Sequence, residues 1–142
     1  MAALVDTNVL VYAFDPRDRR KQRVATELLR QGLRDDSLRI AHQAIVEFVS
    51  AVTRPQRAAG PLLSMLEACR EAEALLSEFP ILYPDGALVR HALRGAAAYQ
   101  LSWYDAHMWA YADYYGLEEL LSEDFDDGRL YGSVRTLNPF LL

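Results

Sequence analysis

At 142 residues, with 51% apolar side chains, the chain has material for one ordinary domain whose core needs no metal or disulfide staple. Its single cysteine, Cys69, excludes an internal disulfide, and no apolar run nears the ~20 residues that a membrane-crossing helix needs. A net charge of -5 argues against a protein that coats nucleic acid by neutralising many phosphates, but it leaves a nuclease open.

The opening Met1-Ala2-Ala3-Leu4-Val5 runs directly into Asp6, without the basic start and long apolar stretch of a secretion leader, so the expected compartment is the cytoplasm. Short apolar runs alternate with stretches of helical period, which predicts an α/β chain, one domain over 1–142, with a mostly parallel central sheet of about five strands flanked by helices. The first strand is Ala3 to Val5, followed by a helix from Asn8 to Phe14. A helix from Asp18 to Gly32 comes next, stopped by its glycine. Arg17, Arg19, Arg20, Lys21, Arg23, Arg30 and Arg34 crowd into this stretch; a solvated face and a phosphate-backbone contact are both open readings. Strand Leu38 to Ala41 leads into helix His42 to Arg54, ended by Pro55. Helix Pro61 to Ser77 carries Cys69, read as a packing residue, and strand Ile81 to Tyr83 follows. Helices Gly86 to Tyr99 and Ser102 to Tyr115 precede strands Leu120 to Ser122 and Val134 to Leu137.

In such sheets, functional groups collect at the carboxyl ends of the strands. Asp6 and Asp124 follow the first and fourth strands, Glu47 lies early in the helix after the second, and Asp105 lies in the first turn of the helix before the fourth. All four can therefore face one cleft. Each has a plainer explanation: Asp6 fits an N-cap, Asp105 a capping box with Ser102, Glu47 a solvated helix position, and Asp124 a polar loop turning at Asp127-Gly128. Together they would repel one another and call for a counter-cation, and hard carboxylate oxygens suit Mg²⁺ or Mn²⁺. The chemistry this implies is phosphodiester hydrolysis by metal-activated water.

Asp6-Thr7-Asn8-Val9-Leu10, Glu47, Ser102-Trp103-Tyr104-Asp105-Ala106 and Leu121-Ser122-Glu123-Asp124 with Asp127-Gly128 resemble PIN-domain ribonucleases, specifically the VapC-type toxins of bacterial toxin-antitoxin pairs. The resemblance runs through Val134-Arg135-Thr136-Leu137-Asn138-Pro139-Phe140. It implies a single PIN-like fold and a metal-dependent endoribonuclease in which Asp6, Glu47, Asp105 and Asp124 are catalytic and hold Mg²⁺ or Mn²⁺, with Thr7 and Asn8 orienting them. It also implies an RNA substrate, a VapB-type antitoxin and a homodimer. Asp126 or Asp127 is a candidate further ligand for a second metal.

Two other readings use the same acids: a catalytically silent PIN-like domain that binds RNA or protein, and a phospho-accepting signalling domain. The second pairs its acids with a lysine near the last strand, whereas the only lysine here is Lys21. His42, His91 and His107 lack zinc-ligand spacing, and no glycine-rich phosphate loop is present. The aromatics Trp103, Tyr104, Trp109, Tyr111, Tyr114 and Tyr115 are read as core rather than as a base-stacking platform.

Overall fold

In the computed structural model, residues 2–56 and 58–141 are described; the outermost residues of the expected domain, Met1 and Leu142, lie outside them. The six-stranded sheet has the order β3-β2-β1-β4-β6-β5, with β1 (Ala3–Val5), β2 (Leu38–Ala41), β3 (Ile81–Leu82), β4 (Glu119–Leu121), β5 (Leu130–Tyr131) and β6 (Val134–Leu137). All pairings are parallel except β5 with β6. The expected α/β architecture is thus present with one strand more than predicted. β5 is only two residues long, too short for an alternation signal, and it returns through Gly132 at φ 64, a left-handed conformation that glycine adopts without strain.

Among the described residues, six helices connect the strands: α1 (Thr7–Tyr12), α2 (Arg19–Asp35), α3 (His42–Thr53), α4 (Met65–Glu78), α5 (Gly86–Tyr99) and α6 (Trp103–Tyr114). Two boundaries differ from the sequence reading for identifiable reasons. Gly32 does not end α2. A Cβ there would lie 2.2 Å from Leu38 Cδ1, so the glycine is a close-approach site, and the helix instead ends at Asp36 in the left-handed region. α4 starts at Met65 rather than Pro61 because Ser64 and Glu67 form a complete capping box just ahead of it.

The core is continuous from β1, where Leu4 and Val5 are fully buried, to Phe48 of α3, Leu88 of α5, Met108 and Tyr111 of α6, and Leu120 of β4. α6 packs against β1, β4 and β6, with α5 against it. The aromatic run of α6 divides: Trp109 and Tyr111 are buried, whereas Trp103, Tyr104, Tyr114 and Tyr115 are exposed, which corrects the expectation of core for these four. The middle of the helix is buried nearly all round, from Ala106 to Ala112, and the four exposed rings stand at its two ends. Cys69 is exposed rather than packed, because the buried stripe of α4 is Ala68, Ala72 and Leu75.

Candidate active site

β1 pairs with β2 on one side and β4 on the other, so the chain reverses its direction of travel across the sheet between β1 and β4. In open parallel sheets, this reversal leaves a crevice beyond the strand ends. Here the crevice is a cleft of about 720 Å³ whose lining includes Asp6, Thr7, Asn8, Glu47, Asp105 and Asp124. The four predicted acids are therefore brought to one cavity by four separate elements, and the two predicted orienting residues come with them.

The local geometry starts from the cap. Val5 ends β1 and Asp6, extended, caps α1, its Oδ1 accepting from the Thr7 amide at 2.7 Å. That leaves Oδ2, which accepts from the Ser122 hydroxyl at 2.6 Å and weakly from Asn8 Nδ2 at 3.5 Å. Asn8 Nδ2 also donates to Ser122 Oγ at 3.0 Å and to Asp124 Oδ2 at 3.1 Å, tying the loop after β4 to the start of α1. The Thr7 hydroxyl donates to Glu47 Oε1 at 2.7 Å and so fixes the α3 acid. Ser122 is the residue that sequence reasoning passed over. Its signal is its place directly after β4, one residue beyond the last pairing with β1.

The plainer readings can now be weighed. Asp6 is a cap and a cleft residue at once. Asp105 takes only half of a capping box: its amide donates to Ser102 Oγ at 3.2 Å, without the reciprocal bond found at Glu67. Its half-buried carboxyl is left for the cleft. Asp126 and Asp127 do not line it. Asp126 pairs with Arg129 at 3.1 Å and Asp127 accepts from the Asn138 amide at 2.8 Å, so both serve the turn before β5. Asp15 and Glu123 line the cleft instead, each neutralised by its own cation: Arg17 at 2.8 Å and Lys21 at 2.8 Å. The basic segment divides in the same way. Arg17 and Lys21 serve the cleft wall, Arg20 donates to the Phe140 carbonyl at 2.8 Å, and Arg30 and Arg34 pair with Glu27 on the far part of α2.

Among the described residues, none of the four acids forms an ion pair. Burial pushes the Asp6 carboxyl up to about 7, against the pull of its bonds from Ser122 and Thr7, and the charges of Asp124 and Asp105 add to the rise. Burial raises Asp105 as well, helped by Asp124 and Glu47. An acidic set that lacks a protein cation, and in which Asp6 and Asp105 hold their protons more tightly than usual, fits a hard divalent ion. Among the described residues, no three His, Cys, Asp or Glu side chains close into a ligand cage, so the fit is to an ion that keeps several waters and takes few protein oxygens, as Mg²⁺ does.

A profile of the PIN domain matches residues 3–131. Among solved structures, a toxin-antitoxin complex from Klebsiella pneumoniae matches with a TM-score of 0.69 at 20% identity, covering 97% of this chain and 98% of that chain. VapBC from Salmonella typhimurium, solved bound to DNA, matches with 0.69 at 13% identity over 96% of each chain. A VapC toxin from Mycobacterium tuberculosis, named as cleaving the sarcin-ricin loop, matches with 0.62 at 17% identity over 88% of this chain and 90% of that one. At these identities the likeness is one of fold. No curated protein matches by sequence. Because the profile spans nearly the whole chain, and the sheet order and cleft agree with it, this chain belongs to the PIN domain family.

Proposed function

We propose that this protein is a metal-dependent endoribonuclease and the toxin of a VapBC-type pair, with Asp6, Glu47, Asp105 and Asp124 as its catalytic acids. PIN domains are nucleases that typically use divalent metal ions, and the observation that carries the reading is Asp6. It is a buried carboxylate oriented by Thr7, Asn8 and Ser122, close enough to Asp105 and Asp124 to feel their charge, with no protein cation to balance it. A bound Mg²⁺ or Mn²⁺ would supply an activated water and stabilise charge on a phosphodiester. The chain's own residues would do the rest. Asp6 and Asp124, joined through Asn8, hold their oxygens at the strand ends, and Thr7 fixes the carboxylate of Glu47. The exposed ring of Tyr104 and the side chain of Arg54, both lining the cleft, would meet a base and a backbone phosphate.

A silent, RNA- or protein-binding PIN domain would need no ion at this cleft. The uncompensated Asp6 weighs against it, since a buried charge kept without use costs stability. A phospho-accepting domain is disfavoured because the only lysine is bound to Glu123 rather than to any of the four acids. No helix among the described residues is long and apolar enough to cross a membrane, which suits a cytoplasmic RNA target. Exposed Val46 at the cleft edge, with exposed Met65 and Leu66 on α4, which packs on α3, supports an antitoxin segment lying along these helices. An inserted arginine would suit the acidic cleft. Exposed Val89 and Leu93, one turn apart on α5, suit the homodimer.

The test is cleavage of structured RNA by purified protein in Mg²⁺, Mn²⁺ or chelator, with the new ends sequenced. Metal-dependent cutting at discrete positions is expected; undiminished cutting in chelator overturns the metal dependence. No cutting in either metal overturns the enzyme. Co-expression with the neighbouring small gene should return a complex and suppress cutting.

A further inference from the structure

We propose that Lys21, acting with Tyr12, is a positioning residue: it pins Glu123 to the wall of the cleft, and thereby holds the adjoining Asp124 in its metal-facing place. The inference rests on the nuclease reading above. Lys21 Nζ lies 2.8 Å from Glu123 Oε2 and donates to the Tyr12 hydroxyl at 3.2 Å, while that hydroxyl donates to Glu123 Oε1 at 2.6 Å. Both oxygens of one carboxylate are thus taken, one by α2 and one by α1.

Asp124 needs such support. Its side chain is exposed, and Asn8 is the one described residue that holds its carboxylate, at 3.1 Å. Its amide is fixed to Ser122 Oγ at 3.0 Å. Glu123 stands between these two anchored positions, so freeing its side chain loosens the short loop that aims Asp124. Pre-set geometry of this kind is what an ion-holding carboxylate contributes.

Lys21 is also poorly placed to grip RNA itself. Two of its three N–H donors are used, its Nζ lies 4.7 Å from the Tyr12 ring centroid and 5.6 Å from that of Phe140, and its side chain is three-quarters buried. The cage is itself anchored. Tyr12 and Phe140 meet edge to face at 5.0 Å, and the neighbouring Arg20 holds the Phe140 carbonyl at 2.8 Å. Lys21 has a second effect on the cleft, because neutralising Glu123 keeps a fifth free carboxylate from competing for the ion.

The experiment titrates Mn²⁺ by calorimetry into the full chain and into Lys21→Met, Lys21→Arg and Tyr12→Phe, with RNA cleavage kinetics on the same samples. Lys21→Met should bind Mn²⁺ about tenfold more weakly, the low end of what losing a ligand-orienting partner costs. It should lose kcat and keep KM for RNA. Lys21→Arg should recover part of both. Tyr12→Phe keeps the ring and the ion pair, so it folds as the parent does, and it should show a smaller loss of the same kind. Unchanged Mn²⁺ affinity with a raised KM would make Lys21 an RNA contact and overturn the proposal. Tighter Mn²⁺ binding would make the freed Glu123 a ligand, with the same result. A parent chain that takes no Mn²⁺ overturns the nuclease reading and this one with it, whereas equal binding by parent and Lys21→Met overturns this one alone.

Discussion

Two helices of this protein begin the same way and behave in opposite ways. α1 and α5 each start from an extended aspartate whose side chain accepts from a backbone amide, Asp6 from Thr7 at 2.7 Å and Asp85 from Leu88 at 2.9 Å. Each also accepts from a hydroxyl, of Ser122 at 2.6 Å and of Tyr114 at 2.9 Å. Asp85 is exposed, so these bonds dominate and hold its carboxyl below the ordinary value, the Leu88 amide first and Tyr114 second. Asp6 is buried, and burial with Asp124 and Asp105 nearby overrides the same kind of bonds and carries it to about 7. What surrounds a cap, rather than the cap itself, decides whether it is structural or chemical. The ground behind the two differs to match: α1 leads into hydroxyls, amides and acids, whereas α5 leads into a seam where Gly95 lies against Trp109 and the indole donates to the Tyr131 carbonyl at 2.8 Å.

The pH dependence of stability breaks or keeps this contrast most directly. Asp6 titrates near 3.8 when unfolded and near 7 when folded, so in chelator its favourable contribution is complete below about pH 4 and is lost as pH rises towards 7. At roughly 1.4 kcal/mol per pH unit, the loss is at most about 4 kcal/mol. Denaturant unfolding from pH 4 to 8 should show that decline in the parent and its absence in Asp6→Asn; parallel curves would return Asp6 to an ordinary cap. Activity is the next measure. Asp6→Asn keeps a good cap yet should cut RNA roughly 10²- to 10³-fold more slowly, the scale for removing one preorganised charged or polar group from a reacting centre. Asp85→Asn should cleave at the parental rate, and a matching loss there would erase the distinction.

On the α5 side, Gly95→Ala places a methyl 2.2 Å from the Trp109 ring, and overpacking of this kind costs about 1–3 kcal/mol. Thermal melts should register it while Mn²⁺ affinity per folded molecule stays unchanged. Asp85→Ala should have the smallest effect and the reverse pH sense from Asp6. A lowered carboxyl stabilises above its unfolded pKa and loses that contribution on acidification, so parent and variant should converge in melts carried towards pH 3.

Much of the frame was legible because its signals are local. Asp6 as a cap after an apolar strand and the helix from Gly86 to Tyr99 are both present as expected, while the first helix runs from Thr7 to Tyr12 rather than from Asn8 to Phe14. The positions of the four acids followed from strand-end topology. What stayed hidden depends on contacts between distant residues. Ser122 is an unremarked serine until β4 lies beside β1, and Lys21 is a surface lysine until Glu123, 102 residues later, folds against it. Gly32 was misread because a helix stop and a close-packed glycine look alike until Leu38 is in place. The exposed rings of α6 look like core because its apolar composition is nearly uniform, and only the packed fold shows that cover reaches Ala106 to Ala112 and stops short of both ends.

The strand order also sets when danger can arise during synthesis. β1 is made first and gains β2 as a neighbour within about forty residues, but its other edge stays open until β4 emerges, since Leu4 pairs with Leu120. A growing chain therefore carries Asp6 long before it carries Ser122 and Asp124, and until then the acidic cleft is incomplete. The interval has a physical hazard of its own. Ala3, Leu4 and Val5 present an unpaired apolar edge for the time needed to translate most of the chain, and such edges invite pairing with other chains.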